Sequence, residues 1–560
     1  MNINRIGVLL VTVAAAGATR TETLADERTQ IELNVHMEVL TRGPVHEAYA
    51  EVVTFDPQPG LVVTQAPPDL IEEVPPDQRP EGENIVWVPG YPAWDDERDD
   101  YIWVSGVWRE VPPDRQWVPG YWARTDVGFQ WTYGYWADVE AAEIEYLPEP
   151  PAVIEEVAIV EAPSPDYTWI PGYWTWQTGR YVWRPGRWVV VQADWDWVPA
   201  RYVWTPRGHI FVEGYWDYTV ARRGVLFAPV HFDTVVYERP GFSYSPATVI
   251  DVDLLTEHLF VRTSHSHYYF GDYYEVGYHD AGFVPSFSFS VSRGGYDPIY
   301  ARARWEHRHD HDWERRVEAS FVYRRNNAAA RPPRTFSAQL QLTASLGDVD
   351  RKALTLAKPL AVVAKSQGGT TRFRQVELEE RKSLMVRGRE IGKFRAERRK
   401  LETQPPELPS DWSSAGTARG KVRLPGSPIA AKSAAISKSR VPTRLQAPEP
   451  DLSVEPKPRK PILTRDGQNG DSMRRSKGPR RELDRGNLRR PPQAKPRPTT
   501  DSRPKAAPQD EAGGGSTKET DHPSNNKPKA DKDKVKAEPA TKAKVEPNSK
   551  QKTKSKKKNP

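Results

Sequence analysis

A chain of 560 residues with 53 prolines and no cysteine has room for two or three folded units, yet it excludes disulfides, thiolate metal sites, cysteine nucleophiles and a cysteine-linked lipid anchor. The net charge of +5 conceals an asymmetry: residues 26–220 carry 34 Asp/Glu against 12 Arg, whereas 441–560 carry 31 Lys/Arg against 16 Asp/Glu. The body is thus acidic and the end basic, and no catalytic signature accompanies them.

Residues 1–25 read as a secretory signal. Arg5 supplies the positive start, 6–16 form an apolar run, and Ala16-Gly17-Ala18 is a small-x-small cleavage site, with Thr23-Leu24-Ala25 a second. The run is shorter than a membrane span; its plain alternative is a buried N-terminal helix or strand. Export to the cell envelope or the medium is expected, with no transmembrane segment after cleavage. Residues 26–86 read as an extended lead-in, weakly alternating around 36–40 and 50–55 and then broken by Pro57, Pro59, Pro67, Pro68, Pro75 and Pro76.

Residues 87–216 hold 17 of the 20 tryptophans. Eight copies of Trp-x-x-Gly-x-Trp start at Trp87, Trp103, Trp117, Trp131, Trp169, Trp183, Trp197 and Phe211, mostly 14 residues apart. A fixed period indicates a repeat architecture. The copies form two arrays of four, at 87–136 and 167–220, with a Pro/Glu-rich spacer over 137–166. The spacing predicts short antiparallel strands. If Pro119-Gly120 is a two-residue turn, Trp117 faces Trp122, and a turn over 125–128 sets Trp122 opposite Trp131. Pro-Gly suits a two-residue hairpin poorly, so a looser corner is the other reading. Glycine in seven of the eight third-last slots, with Ala200 the exception, is expected to supply positive φ. Pro92 and Tyr202 replace the second Trp.

The aromatic stripe has two readings. As core, each ring contributes roughly 1.5–3 kcal/mol on burial. As an exposed platform, Trp94, Trp176 and Trp204, which lie outside the motif slots, are the ligand-binding candidates for a flat ligand such as a sugar ring. Asp95-Asp96-Glu97-Arg98-Asp99-Asp100 reads as a solvated turn in preference to a calcium loop, because it lacks the turn glycine.

Residues 221–335 read as an aromatic-rich β region with a helix over 297–327. His265 and His267 would share a strand face near Asp272, and His307 and His311 would sit one helical turn apart; both pairs are candidate metal ligands, weighed against plain polar surfaces. Residues 336–402 read as partly helical, with a charged helix over 372–402 that forms a short coiled coil or an arm on the body. Residues 403–560 are Pro/Lys/Arg-rich and expected to be disordered. Their cations suit nucleic acid, anionic lipid or an acidic polymer, without base-specific readout.

The fold class expected is therefore mainly β: antiparallel meander or hairpin repeats, an aromatic-rich β region, one or two helices and a long disordered basic tail. The repeats resemble the WxxGxW (YxWGxW) repeat family of secreted bacterial proteins. Segments starting at Leu40, Ile71, Trp87, Trp204, Arg223 and His267 are similar to a planctomycete-type group within it, over roughly 40–402. The resemblance implies export and carries no activity, cofactor or catalytic residue. The functional expectation is a non-enzymatic, cofactor-free secreted or envelope protein, its repeats a β scaffold and its tail a tether to an extracellular or envelope polymer such as an acidic polysaccharide. The alternative is glycan binding through exposed tryptophans; a metallo-hydrolase built on the histidines is a third reading.

Overall fold

In the computed structural model the described residues are 36–404, apart from 142, 155–160, 238, 290–293 and 367–370, together with 421–431 and the single positions 442 and 453. The signal expected over 1–25 lies outside them, as does most of the tail. The chain divides into units Met1–Thr464 and Arg465–Pro560, and every element described belongs to the first.

The repeats build antiparallel β hairpins of an unexpected kind. In the second hairpin, Arg115–Val118 passes through Pro119-Gly120 into Tyr121–Thr125. The chain then returns as Gly128–Thr132 and, past Tyr133-Gly134, as Tyr135–Asp138. The inner strands pair with Trp122 opposite Trp131, as the spacing predicts. The outer strands pair with Trp117 opposite Trp136, not Trp122. Pro119-Gly120 is therefore no hairpin turn. Its preferred geometry twists the wrong way for one, and the chain bends there without reversing. The partner strand bends at Gly134 on the same level, so one long two-stranded ribbon is folded over at a corner.

The other three hairpins repeat this plan. Trp87 pairs with Trp108 and Pro92 with Trp103 in the first. Trp169 pairs with Trp188 and Trp174 with Trp183 in the third, and Trp197 with Trp216 and Tyr202 with Phe211 in the fourth. The structural unit is thus two sequence copies facing each other. Ring centroids in the outer pairs Trp87–Trp108 and Trp117–Trp136 lie 5.0 and 5.1 Å apart, within the range where aromatic pairs add to burial. Trp103, Trp108, Trp117, Trp136, Trp174 and Trp183 are among the largest fully buried side chains. The stripe is core.

The motif glycines serve close approach, not positive φ. Gly90, Gly106, Gly120, Gly134, Gly172 and Gly214 all lack the left-handed backbone that the sequence suggested. A Cβ at Gly106, Gly134 or Gly214 would lie 2.5–2.6 Å from Cζ2 of Trp87, Trp117 or Trp197, and one at Gly120 or Gly172 would crowd Trp131 or Trp183 still more. Each indole edge lies on the bare backbone of the opposite corner. The one motif phenylalanine, Phe211, pairs with Tyr202, two residues beyond Ala200, the one motif alanine.

The lead-in is not peripheral. Residues 40–50 are buried without exception, and Val45, Ala48 and Tyr49 share a cluster with Trp117, Trp136, Tyr215, Leu259 and Ile391. Gly43–Pro44 pairs with His267–Phe270, which pairs with Leu259–Arg262 of the aromatic region. The helix expected over 297–327 is two helices, Pro298–Glu306 and Trp313–Asn326. The Asp297 carboxylate caps the first, accepting from the Ile299 and Tyr300 N–H groups at 2.9 and 3.2 Å. The long helix Leu378–Thr403 is an arm on the body, with Ile391, Phe394 and Arg398 buried. No helix among the described residues is long and apolar enough to cross a membrane.

Part of the tail also folds back, against expectation. Lys421–Arg423 adds a strand to Glu143–Leu147, setting Arg423 opposite Glu143 and Lys421 opposite Glu145. Ile429 is only 1% exposed and joins the central cluster. Opposite charges across the ladder and one large apolar side chain hold a segment whose composition alone reads as disordered.

Candidate functional site

Folding both strands of a ribbon at one level interrupts the ladder and leaves N–H and C=O groups that need partners. In the first two hairpins, side chains from distant segments provide them. At the first corner, Glu73 accepts from the N–H groups of Gly90 and Gly106 at 2.7 and 2.9 Å and from Nε1 of Trp103 at 3.0 Å. His46 Nδ1 accepts from the Ala48 N–H at 3.0 Å, so Nε2 carries the ring proton and donates to the Pro89 carbonyl at 3.2 Å.

At the second corner, Glu47 accepts from Nε1 of Trp131 and the Gly134 N–H, both at 2.9 Å. Arg398 of the long helix donates to the Pro119 and Tyr133 carbonyls, both at 2.9 Å, and to Glu402 at 3.0 Å. Glu402 also accepts from the Tyr121 and Tyr146 hydroxyls at 2.7 and 3.1 Å.

Burial dominates the electrostatics here. It pushes the Glu73 carboxyl up to about 7, against the pull of its three N–H donors, and raises Glu47 as well. Burial also drives His46 down to about 3, which keeps it neutral as a donor. Arg395, near both carboxylates, is lowered by burial to about 10. None of these groups stands out by spacing. Their signal lay in the segments beginning at Leu40 and Ile71, which carry the family resemblance and contain His46, Glu47 and Glu73.

The second array faces an open cleft of about 790 Å³, a size typical of small-molecule sites. Tyr173 and Trp176 of the third hairpin and Trp197 and Phe211 of the fourth line it, as does the strand Glu143–Leu147. Tyr173 and Phe211 stack near-parallel, at 6.0 Å and 23°. Carboxylates Asp138, Glu143, Glu145 and Glu213 share the wall with guanidiniums Arg115, Arg184 and Arg187.

The three candidate tryptophans occupy equivalent places near three hairpin tips, opposite Tyr101, Tyr181 and His209. All are half-buried. Trp94 packs edge-on against Tyr101 at 5.1 Å and Trp176 against Tyr181 at 4.8 Å. They line separate cavities: Trp176 the large cleft, Trp94 one of about 30 Å³ and Trp204 one of about 40 Å³. No shared platform forms.

The histidines are placed differently from expectation. His265 closes the 3-10 turn Thr263–His265, with Nδ1 3.1 Å from the Tyr269 hydroxyl. His267 begins the next strand, its Nε2 3.0 Å from the Tyr91 hydroxyl. Both are buried. His307 is the C-cap of Pro298–Glu306 and His311 precedes Trp313–Asn326, so the two share no helix face. His307 instead stacks on Trp313 at 4.8 Å. Asp272 accepts from Arg334 at 2.8 Å. Among the described residues no group of three or more His, Cys, Asp or Glu is placed to hold a metal ion.

The WXXGXW repeat family matches in two copies, over 165–189 and 207–219. The first falls on the third hairpin and the second on the returning half of the fourth. No curated protein and no solved structure is detectably similar to the chain. The chain thus carries WXXGXW repeats, matched by the family model at two places, and the eight copies read in its sequence face each other in pairs in the fold.

Proposed function

We propose that the protein is an exported, non-enzymatic scaffold of the cell envelope or its surroundings, a rigid β body tethered by its basic tail to an acidic polymer such as a polysaccharide. The observation that carries this reading is the inward use of the motif. Most of the motif indole rings are buried core, and Nε1 of Trp103 and Trp131 is engaged by Glu73 and Glu47. The repeat's chemistry is used in building the body. The tether reading is supported by Arg465–Pro560, which holds 27 Lys/Arg against 13 Asp/Glu, a charge that attracts polyanions at low ionic strength.

The test is deletion of 465–560. This leaves 421–431 in place; a cut at 403 would also remove Ile429 from the core. The truncated protein should keep its circular dichroism and tryptophan emission yet move from the envelope fraction into the medium, and about 1 M salt should release the full chain by screening. Unchanged retention of the truncated chain would refute the tether. A second reading, saccharide binding, is favoured by one observation, the aromatic-lined cleft of the second array.

A further inference from the structure

We infer that the cleft between the third and fourth hairpins is a binding site for an uncharged saccharide chain, with Tyr173, Phe211, Trp176 and Trp197 as stacking surfaces and Tyr135 and Trp197 as hydrogen-bonding groups. This rests on the saccharide-binding reading and is independent of the scaffold reading.

The repeat's own irregularities mark the place. Ala200, Tyr202 and Phe211 stand where the motif has Gly, Trp and Trp, and all three belong to the fourth hairpin. In the other hairpins the residue equivalent to Phe211 is Trp103, Trp131 or Trp183, buried against the corner glycine. Phe211 is half-buried and walls the cleft, and Tyr173, Trp176 and Trp197 share both properties. At Phe211, where the pattern lapses, an aromatic face opens onto about 790 Å³.

Two polar groups in this wall lack partners. The Tyr135 hydroxyl, on a side chain 2% exposed, and the buried Nε1 of Trp197 have no hydrogen-bond partner among the described residues. Both residues line the cleft. A buried donor left unmade is unfavourable, and a ligand hydroxyl, which both donates and accepts, satisfies either one.

Sugar rings present apolar C–H faces to aromatic rings and hydroxyls to the edges. The four carboxylates and three guanidiniums of the wall accept from and donate to such hydroxyls. Their near balance, slightly negative, provides no attraction for a polyanion. Peptide capture by strand addition is closed at Glu143–Leu147, because that strand is paired on one side by Gly208–Val212 and on the other by Lys421–Arg423.

The test titrates the full chain with neutral oligosaccharides (β-1,4-linked glucose and N-acetylglucosamine hexamers), with oligogalacturonate and with an unrelated acidic peptide, read by calorimetry and tryptophan fluorescence. At least one neutral hexamer should bind, and Tyr173→Ala and Trp176→Ala should each weaken it about tenfold with circular dichroism unchanged. Trp204→Ala, whose cavity is too small for a ring, should bind as the native chain does. Undiminished binding by both cleft variants would place the saccharide elsewhere and overturn the site while leaving the saccharide-binding reading intact. Binding of oligogalacturonate or peptide alone would overturn the ligand class. No saccharide binding at millimolar concentration would overturn both.

Discussion

Replacing Gly120 by alanine isolates the reason the motif contains glycine. The added Cβ would lie 2.8 Å from both Glu47 Oε2 and the Thr132 carbonyl oxygen, and closer still to Cζ2 of Trp131. Trp131 is 6% exposed and held by Glu47, so it cannot simply swing aside. Overpacking of this kind costs about 1–3 kcal/mol. Gly120 lacks a left-handed backbone, so alanine recovers about 0.4–1 kcal/mol by restricting the unfolded chain. The expected net loss is about 1–2 kcal/mol in urea unfolding followed by tryptophan emission. In a Trp131→Phe background the nearest of the three crowding atoms is gone, while Glu47 Oε2 and the Thr132 carbonyl oxygen stay at 2.8 Å. There the alanine step should cost less than in the native background, a non-additivity between neighbours. A stabilising Gly120→Ala in the native background, or simple additivity with Trp131→Phe, would refute the close-approach account.

Two further outcomes concern the corner groups. Arg398→Met leaves Glu402 buried without its cation and the Pro119 and Tyr133 carbonyls without a donor; a loss of about 3–5 kcal/mol in denaturant unfolding is expected, partly restored by adding Glu402→Leu. Glu73 titrates near 7 when folded, above its ordinary 4.5, so the folded state holds its proton more tightly. Its contribution is fully present below about pH 4.5 and is lost as pH rises through 7. Glu73→Gln should therefore gain stability relative to the native chain between pH 4.5 and pH 8 in thermal unfolding, and a gap that stays constant with pH would refute the raised carboxyl. His46 has the opposite sign: held near 3 against an ordinary 6.5, its contribution falls away as pH drops from 6.5 towards 3, so the variant pair must be compared at each pH.

The strands and their positions were legible because tryptophan, glycine and spacing are local properties. Their partners were less so. Trp122 meets Trp131 through a short loop that sequence separation favours, whereas Trp117 meets Trp136 only because the ribbon bends twice at one level. What stabilises that bend comes from Glu47, Glu73 and Arg398, which lie from 17 to 279 residues away along the chain, outside the 14-residue repeat in every case. The buried polar residues in 40–50 therefore read only as part of an extended lead-in. The helix Leu378–Thr403 was readable from its interleaved opposite charges despite Gly388 and Gly392. The run around His307 and His311 has helical composition but ends one helix and precedes another. Trp176 was recognisable as a ring outside the motif, while Ala200, Tyr202 and Phe211 looked like unrelated blemishes until the fourth hairpin brought them together.

Because each hairpin is made of two motif copies bound face to face, copy number can change only in even steps. A duplication or deletion of a single 14-residue segment would strand half a ribbon, with one indole of each pair facing solvent and every later copy matched to the wrong mate. A gene encoding this architecture should therefore lengthen or shorten by whole pairs.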